Sequence, residues 1–249
     1  MKKFIAVTIL LQLIVVLSAS AKVKKTHWIN YDDTLKVSIL GDSYSTFEGC
    51  VTPDTNFVWY WKENSPGRDR NNNVCMKEQT WWYQLIQRMR VKLETNNSFS
   101  GSTICYTGYK SKETGEHQDY SDRAFITRSN KLGNPDLILV CGATNDSWAG
   151  APVGEYVFGN WTKEQLYFFR PAMAKLLYDL KGNYPTASIL FILNTDLRPE
   201  INESVHTICK HYDVDCLDLH DIEKQDGHPS IKGMQAFVDQ VGDFLSKMK

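Results

Sequence analysis

The chain has 249 residues, 28 basic against 29 acidic side chains, a formal net charge of −1 and 42% hydrophobic residues. A balance this close to neutral argues against a nucleic-acid partner or an anionic membrane surface. The length is enough to bury a sizeable core without help from metals or many bridges.

At the start of the chain, Lys2 and Lys3 precede an almost uncharged apolar run from Phe4 to Leu17, which Ala19-Ser20-Ala21 closes with small residues. This is the three-part layout of a secretory signal peptide. The alternative is a membrane anchor, but the run is short for a bilayer, which needs roughly 20 apolar residues. Cleavage after Ala21 is therefore expected. Residues 22–249 then form one exported domain, periplasmic or extracellular, with no stable membrane association.

The first predicted strand, Leu35 to Leu40, runs straight into Gly41-Asp42-Ser43. Residues 44–79 follow as a long polar insertion carrying Phe57, Trp59, Tyr60 and Trp61. Loops this long are uncommon in compact domains and are often functional. A lid or substrate wall and a self-packed surface excursion both fit, and in the first case Trp59, Tyr60 and Trp61 are the candidate substrate-binding residues. Helical spacing appears at Trp81 to Val91, followed by a strand near Leu93 to Phe99 and Gly101. A further helix is predicted around Asp122 to Leu132. Leu137 to Cys141 is a buried-looking strand that ends in Gly142-Ala143-Thr144-Asn145-Asp146. Thr162 with Gln165 has the form of a capping box for a helix reaching Leu180, which Pro171 would kink. Strands at Ser188 to Leu193 and Val214 to Leu219 flank a helix around Glu200 to Tyr212, and Met234 to Met248 closes the chain as a helix. Short apolar strands alternating with amphipathic helices predict a parallel sheet covered on both faces. Ligands then bind beyond the carboxyl ends of its strands, which is where Ser43 falls.

A serine hydroxyl is a poor nucleophile until a base takes its proton. His27 stands near the mature terminus, His117 in a polar loop, His206 and His211 on a predicted helix, and His220 at a strand end. His228 alone sits in a glycine-marked loop, Asp226-Gly227-His228-Pro229, just before the last helix. Acyl transfer also needs donors for an oxyanion. Asn145 offers a side-chain amide, and a glycine at 101 lets a backbone N–H approach a ligand closely.

Export would permit disulfides among the six cysteines. Cys50 and Cys75 bracket the insertion and are expected to staple it, with Cys209 and Cys216 a second candidate pair. Cys105 and Cys141 read as buried free thiols. No Cys-x-x-Cys occurs, so the sequence gives no support for a zinc or thioredoxin-like site.

In this order the four blocks around Ser43, Gly101, Asn145 and His228 resemble those of the SGNH hydrolase superfamily, the GDSL-like esterases, lipases and acylhydrolases. The resemblance spans Leu35 to Phe244. It implies a flavodoxin-like three-layer α/β/α sandwich with a central parallel sheet, and a serine esterase that needs neither metal nor organic cofactor. Ser43 becomes the nucleophile and His228 the general base; the Ser43 N–H, Gly101 and Asn145 become oxyanion donors. Two departures stand out. Ala143 occupies a slot that is usually glycine. The acid usually three residues before the histidine is replaced by Gln225, leaving Asp226 as the candidate third member and Glu223 or Asp221 as outside alternatives. The exported aromatic insertion points to O-acetyl groups on a polysaccharide or oligosaccharide. A small-lipid ester is the alternative substrate, and an inactive glycan-binding protein on the same fold is the alternative class. Asn-x-Ser/Thr sequons at Asn96, Asn145, Asn160 and Asn202 are read as chance matches, because a glycan on Asn145 would obstruct the cleft.

Overall fold

The computed structural model describes residues 35–66 and 71–247. The expected signal segment and its cleavage site lie outside the described residues. Within them, no helix is long and apolar enough to cross a membrane.

Strand β1, Lys36–Gly41, leads through the insertion to helix α1, Trp81–Met89, and strand β2, Lys92–Ser98. A small hairpin follows, β3 at Thr107–Lys110 and β4 at His117–Asp119, then the single-turn helix α2 at Phe125–Arg128. Strand β5, Leu137–Gly142, runs into the short helix α3, Thr144–Trp148. Helix α4, Phe169–Asn183, strand β6, Ser188–Leu193, helix α5, Pro199–His211, and strand β7, Asp215–Asp218, come next. A two-rung ladder of β8, Lys224–Gln225, and β9, His228–Pro229, precedes helix α6, Ile231–Lys247.

The central sheet has five strands in the order β2-β1-β5-β6-β7, and all its pairings are parallel. Side chains alternate across it, so each strand feeds two cores. Ile39, Leu139, Leu190 and Ile192 pack on one face against Trp81 and Leu85 of α1 and Phe237 and Val241 of α6. Leu40, Ile138, Val140 and Phe191 pack on the other against Phe169, Met173 and Leu177 of α4 and Ile201 and Val205 of α5. Each such side chain contributes about 1.5–3 kcal/mol by leaving water. Because both faces are covered, the strands read as continuous apolar runs, and the expected three-layer α/β/α sandwich is what forms.

The helix expected from Lys163 to Leu180 is divided. Thr162 and Gln165 do bond reciprocally, at 3.0 and 3.4 Å, but they open only a short 3₁₀ turn at Glu164–Tyr167. Helix α4 begins afresh at Phe169, so Pro171 lies in its first turn, where an N–H has no intrahelical acceptor to lose. The predicted kink is therefore absent. The helix expected across Asp122 to Leu132 shrinks to α2.

The strand order reverses beside β1: the chain passes from β2 on one side to β5 on the other. The crevice at such a switch point lies beyond the strand carboxyl ends. Ser43 follows β1, Gly101 follows β2 and Asn145 follows β5, so three separate crossovers deliver their residues to one edge.

Candidate active site

Gly41 ends β1 where a Cβ would fall 2.6 Å from Ser98 Oγ and 2.7 Å from Ser45 Cβ. Only glycine lets the chain turn that closely into the 3₁₀ turn Ser43–Ser45, whose start is capped by the Asp42 carboxylate accepting from the Tyr44 N–H at 3.0 Å. Ser43 Oγ then meets His228 Nε2 at 2.8 Å. Both residues are largely covered, at 3% and 7% exposure.

The other face of the imidazole chemistry corrects an expectation. His228 Nδ1 lies 2.9 Å from the backbone carbonyl oxygen of Asp226, while the Asp226 residue itself is exposed. The contact expected of its carboxylate is made by its main chain. Asp226 and Gly227 are consecutive left-handed residues, with φ of 51° and 72°, and this double curl folds the carbonyl back over the ring. A carbonyl can only accept, so Nδ1 carries the proton and Nε2 is left as the acceptor for the serine hydroxyl.

The insertion is corrected as well. Trp59 and Tyr60 are buried, and their faces are committed to the protein. The Trp59 ring stacks on the His228 ring at 3.6 Å between centroids and 11° between planes. Tyr60 donates its hydroxyl hydrogen bond to the Pro229 carbonyl at 2.9 Å, and Tyr44 donates to the Gly227 carbonyl at 2.8 Å. Asn72 donates to the carbonyls of Gln225, His228 and Pro229 at 3.0–3.2 Å. Trp61 is half-buried, outside this set of contacts. Two of the three residues expected to hold substrate, Trp59 and Tyr60, thus pack on the histidine and its loop. Cys50 and Cys75 line one cavity of about 780 Å³, which contains neither Ser43 nor His228. They are free thiols, as are Cys209 and Cys216, so the expected staples are absent. Backbone hydrogen bonds secure the insertion instead, among them Thr52 N–H to Asn96 O at 2.8 Å and Glu48 N–H to Tyr60 O at 3.0 Å.

Beyond the end of β5, Asn145 is held at both ends of its amide. Its Oδ1 accepts from the Tyr109 hydroxyl at 2.7 Å, and its Nδ2 donates to the Ser102 carbonyl at 3.0 Å. Since the carbonyl can only accept, the nitrogen's side of the amide is fixed, and its second N–H remains for a ligand. Ala143, just before, adopts φ 72°, a left-handed conformation that costs a residue with a Cβ about 1–2 kcal/mol. That is the physical demand behind the usual glycine there. Gly101 has φ +80° and open space where a side chain would stand.

Three buried titratable groups, Asp146, Asp42 and Arg128, support these loops. The Asp146 carboxylate accepts from the N–H groups of Ile104 and Cys105 at 2.8–3.1 Å, pinning the loop that carries Gly101. Burial pushes its pKa up to about 6, against the pull of those same N–H groups. Burial likewise pushes Asp42 up to about 7. Arg128, on α2, donates to the carbonyls of Gly41, Asn97 and Arg123 and to Ser102 Oγ, tying the ends of β1 and β2 to the Gly101 loop. Burial pulls its pKa down to about 9, with the Asp42 charge opposing. Sequence reasoning missed Arg128 and Tyr109. A lone arginine inside the apolar-flanked stretch Ala124 to Ser129 was the available signal for the first; Tyr109 offered none.

The main-chain contact at Nδ1 carries a direct expectation. Asp226→Asn should lower kcat on a small acetate ester by less than about tenfold, or about 1.4 kcal/mol. A loss of 10³ or more, in the range of a carboxylate that holds the imidazole tautomer, would show that the acid acts through its side chain.

With this geometry in place, likenesses to other proteins acquire meaning. The family model described as GDSL-like lipase/acylhydrolase matches residues 35–245. A crystal structure of a GDSL-like lipase from Bacteroides ovatus is 51% identical, with a TM-score of 0.81 over 87% of this chain and 100% of that one. One from Bacteroides uniformis is 52% identical, with a TM-score of 0.81 over 86% of this chain and 96% of that one. A family two carbohydrate esterase from Cellvibrio japonicus shares the fold at 14% identity, with a TM-score of 0.54 over 86% and 61% of the respective chains. No curated protein matches the sequence.

Proposed function

Because the chain belongs to the GDSL-like lipase and acylhydrolase family, and so is a carboxylic ester hydrolase, we propose that Ser43 is its nucleophile and His228 its general base. The 2.8 Å contact between Ser43 Oγ and a deprotonated His228 Nε2 carries this reading.

As Ser43 Oγ attacks the ester carbonyl, its proton passes to Nε2. The imidazolium that forms keeps its Nδ1–H on the Asp226 carbonyl. It also lies against the Trp59 face, where a cation gains about 0.5–2 kcal/mol. The carbonyl oxygen takes up negative charge between the N–H groups of Ser43 and Gly101 and the free N–H of Asn145. Nε2–H then protonates the departing alcohol. Water, deprotonated by the same nitrogen, attacks the acyl-serine and releases the acid.

The substrate we propose is an O-acetyl group on a polysaccharide or oligosaccharide, met outside the cytoplasm. The inward packing of Trp59 and Tyr60 transfers the role of sugar platform to Trp148. It is 42% exposed, and its ring stands edge-on to His228 at 5.9 Å. An amphipathic ring at the mouth of the site suits a sugar face. Acid release from acetylated oligosaccharides and from short-chain glycerides should be compared by mass spectrometry. We expect kcat/KM at least tenfold higher on the glycan acetate. Faster release from the glycerides would replace this substrate with a small lipid ester.

A further inference from the structure

Helix α5 and strand β7 bring together reactive side chains that ester hydrolysis does not use. His206 and Cys209 are three residues apart on α5 and share a helix face. Cys216 and Asp218 are two apart on β7 and share a strand face. His206 Nε2 lies 2.8 Å from Asp218 Oδ1, and Cys216 Sγ lies 3.8 Å from the same oxygen. One donor atom each from His206, Cys216 and Asp218 falls within 4.8 Å of the other two. Among the described residues this is the one such group of three. The buried thiol of Cys209 lies beside Cys216.

We propose that these residues form a site for a zinc-class divalent cation, with His206 Nε2, Cys216 Sγ and an Asp218 carboxylate oxygen as ligands. The Cys209 thiol, next to Cys216, is available for the fourth position. Zinc bonds of about 2.0–2.3 Å put tetrahedral ligands roughly 3.3–3.8 Å apart, inside the observed spread once the His206–Asp218 pair opens by a few tenths of an ångström. Imidazole, thiolate and carboxylate together suit a borderline cation and not calcium or magnesium, which take oxygen shells. Binding releases the Cys216 thiol proton to solvent, and the neutral His206 ring changes tautomer, its proton leaving Nε2 for Nδ1, so that the His206–Asp218 hydrogen bond is exchanged for two metal bonds. The sequence concealed this set because its cysteines, Cys209 and Cys216, are separated by a helix-to-strand turn, in no zinc-ribbon spacing.

The test uses the full chain, reduced and stripped with a chelator, titrated with zinc against a chromophoric competitor. One zinc per chain should bind. His206→Ala and Cys216→Ser should each weaken it by at least the roughly 10–100-fold that losing even an outer-shell partner costs. Cobalt should give a thiolate-to-metal absorption band that Cys216→Ser abolishes, and hydrolysis of a small aryl acetate should be unchanged in both variants. Failure of the reduced wild type to bind stoichiometrically, or binding indifferent to both substitutions, would overturn the site. So would a Cys209–Cys216 disulfide in protein isolated from zinc-supplemented cells.

Discussion

Ser43→Ala should lower kcat on p-nitrophenyl acetate by about 10⁴–10⁶, the scale on which removing one member of a serine–histidine unit disables the whole. The oxyanion donors and substrate contacts remain, so a residual rate above that of water is expected. A fluorophosphonate probe should modify Ser43 in the wild type, and His228→Ala should abolish labelling with the melting transition retained. The substitution is conservative for the fold. The hydroxyl bonds the histidine, while the turn is built by the Asp42 cap and by Thr46 N–H donating to the Ser43 carbonyl. Ser45, two residues on, is the internal control: its side chain is completely buried and out of a probe's reach. Labelling at Ser45 would overturn the assignment. Equal hydrolysis by wild type and Ser43→Ala would put turnover somewhere else altogether.

Asn145→Ala should cost about 10²–10³ in kcat, or roughly 2.7–4 kcal/mol, with little change in KM. The asymmetry follows from what the amide meets. A ground-state ester carbonyl carries little charge, so a pre-aimed N–H gains most when the oxygen becomes an anion. Tyr109 and Ser102 already fix the amide, so no reorganisation is needed at that moment. Alanine would also leave the Tyr109 hydroxyl without its acceptor, and a melting curve separates that structural loss from the catalytic one. A rise in KM at constant kcat would mean that Asn145 only binds substrate.

How far the sequence revealed this site depends on the distance over which each residue is determined. The strands were legible because a parallel sheet covered on both faces must be apolar throughout, as Leu137 to Cys141 is. Ser43 and His228 were legible because glycines mark the turns that expose them. The hairpin β3–β4, which carries Tyr109, has no apolar run to reveal it, only polar residues around one glycine. Trp59 was legible as an aromatic in an insertion but not in its direction, since its partner is 169 positions away and either ring face could have been offered to solvent. Asp226 shows the finest limit. Whether its carboxylate or its carbonyl meets the imidazole turns on two left-handed dihedrals, and composition does not encode those.

The insertion that rests on His228 bears on how this enzyme could be diversified. In many hydrolases a long excursion beside the nucleophile is an exchangeable accessory, free to swing or be swapped for a new specificity. Here the proposed base, His228, is mounted on it. Trp59, Tyr60 and Asn72 meet the ring or the main chain on either side of it, so any motion that lifts the excursion also lifts the proton acceptor away from Ser43. The position of the excursion and the proposed proton transfer are mechanically linked. Grafting a foreign loop between Thr46 and Gln79 would therefore fail on turnover before it could succeed on selectivity.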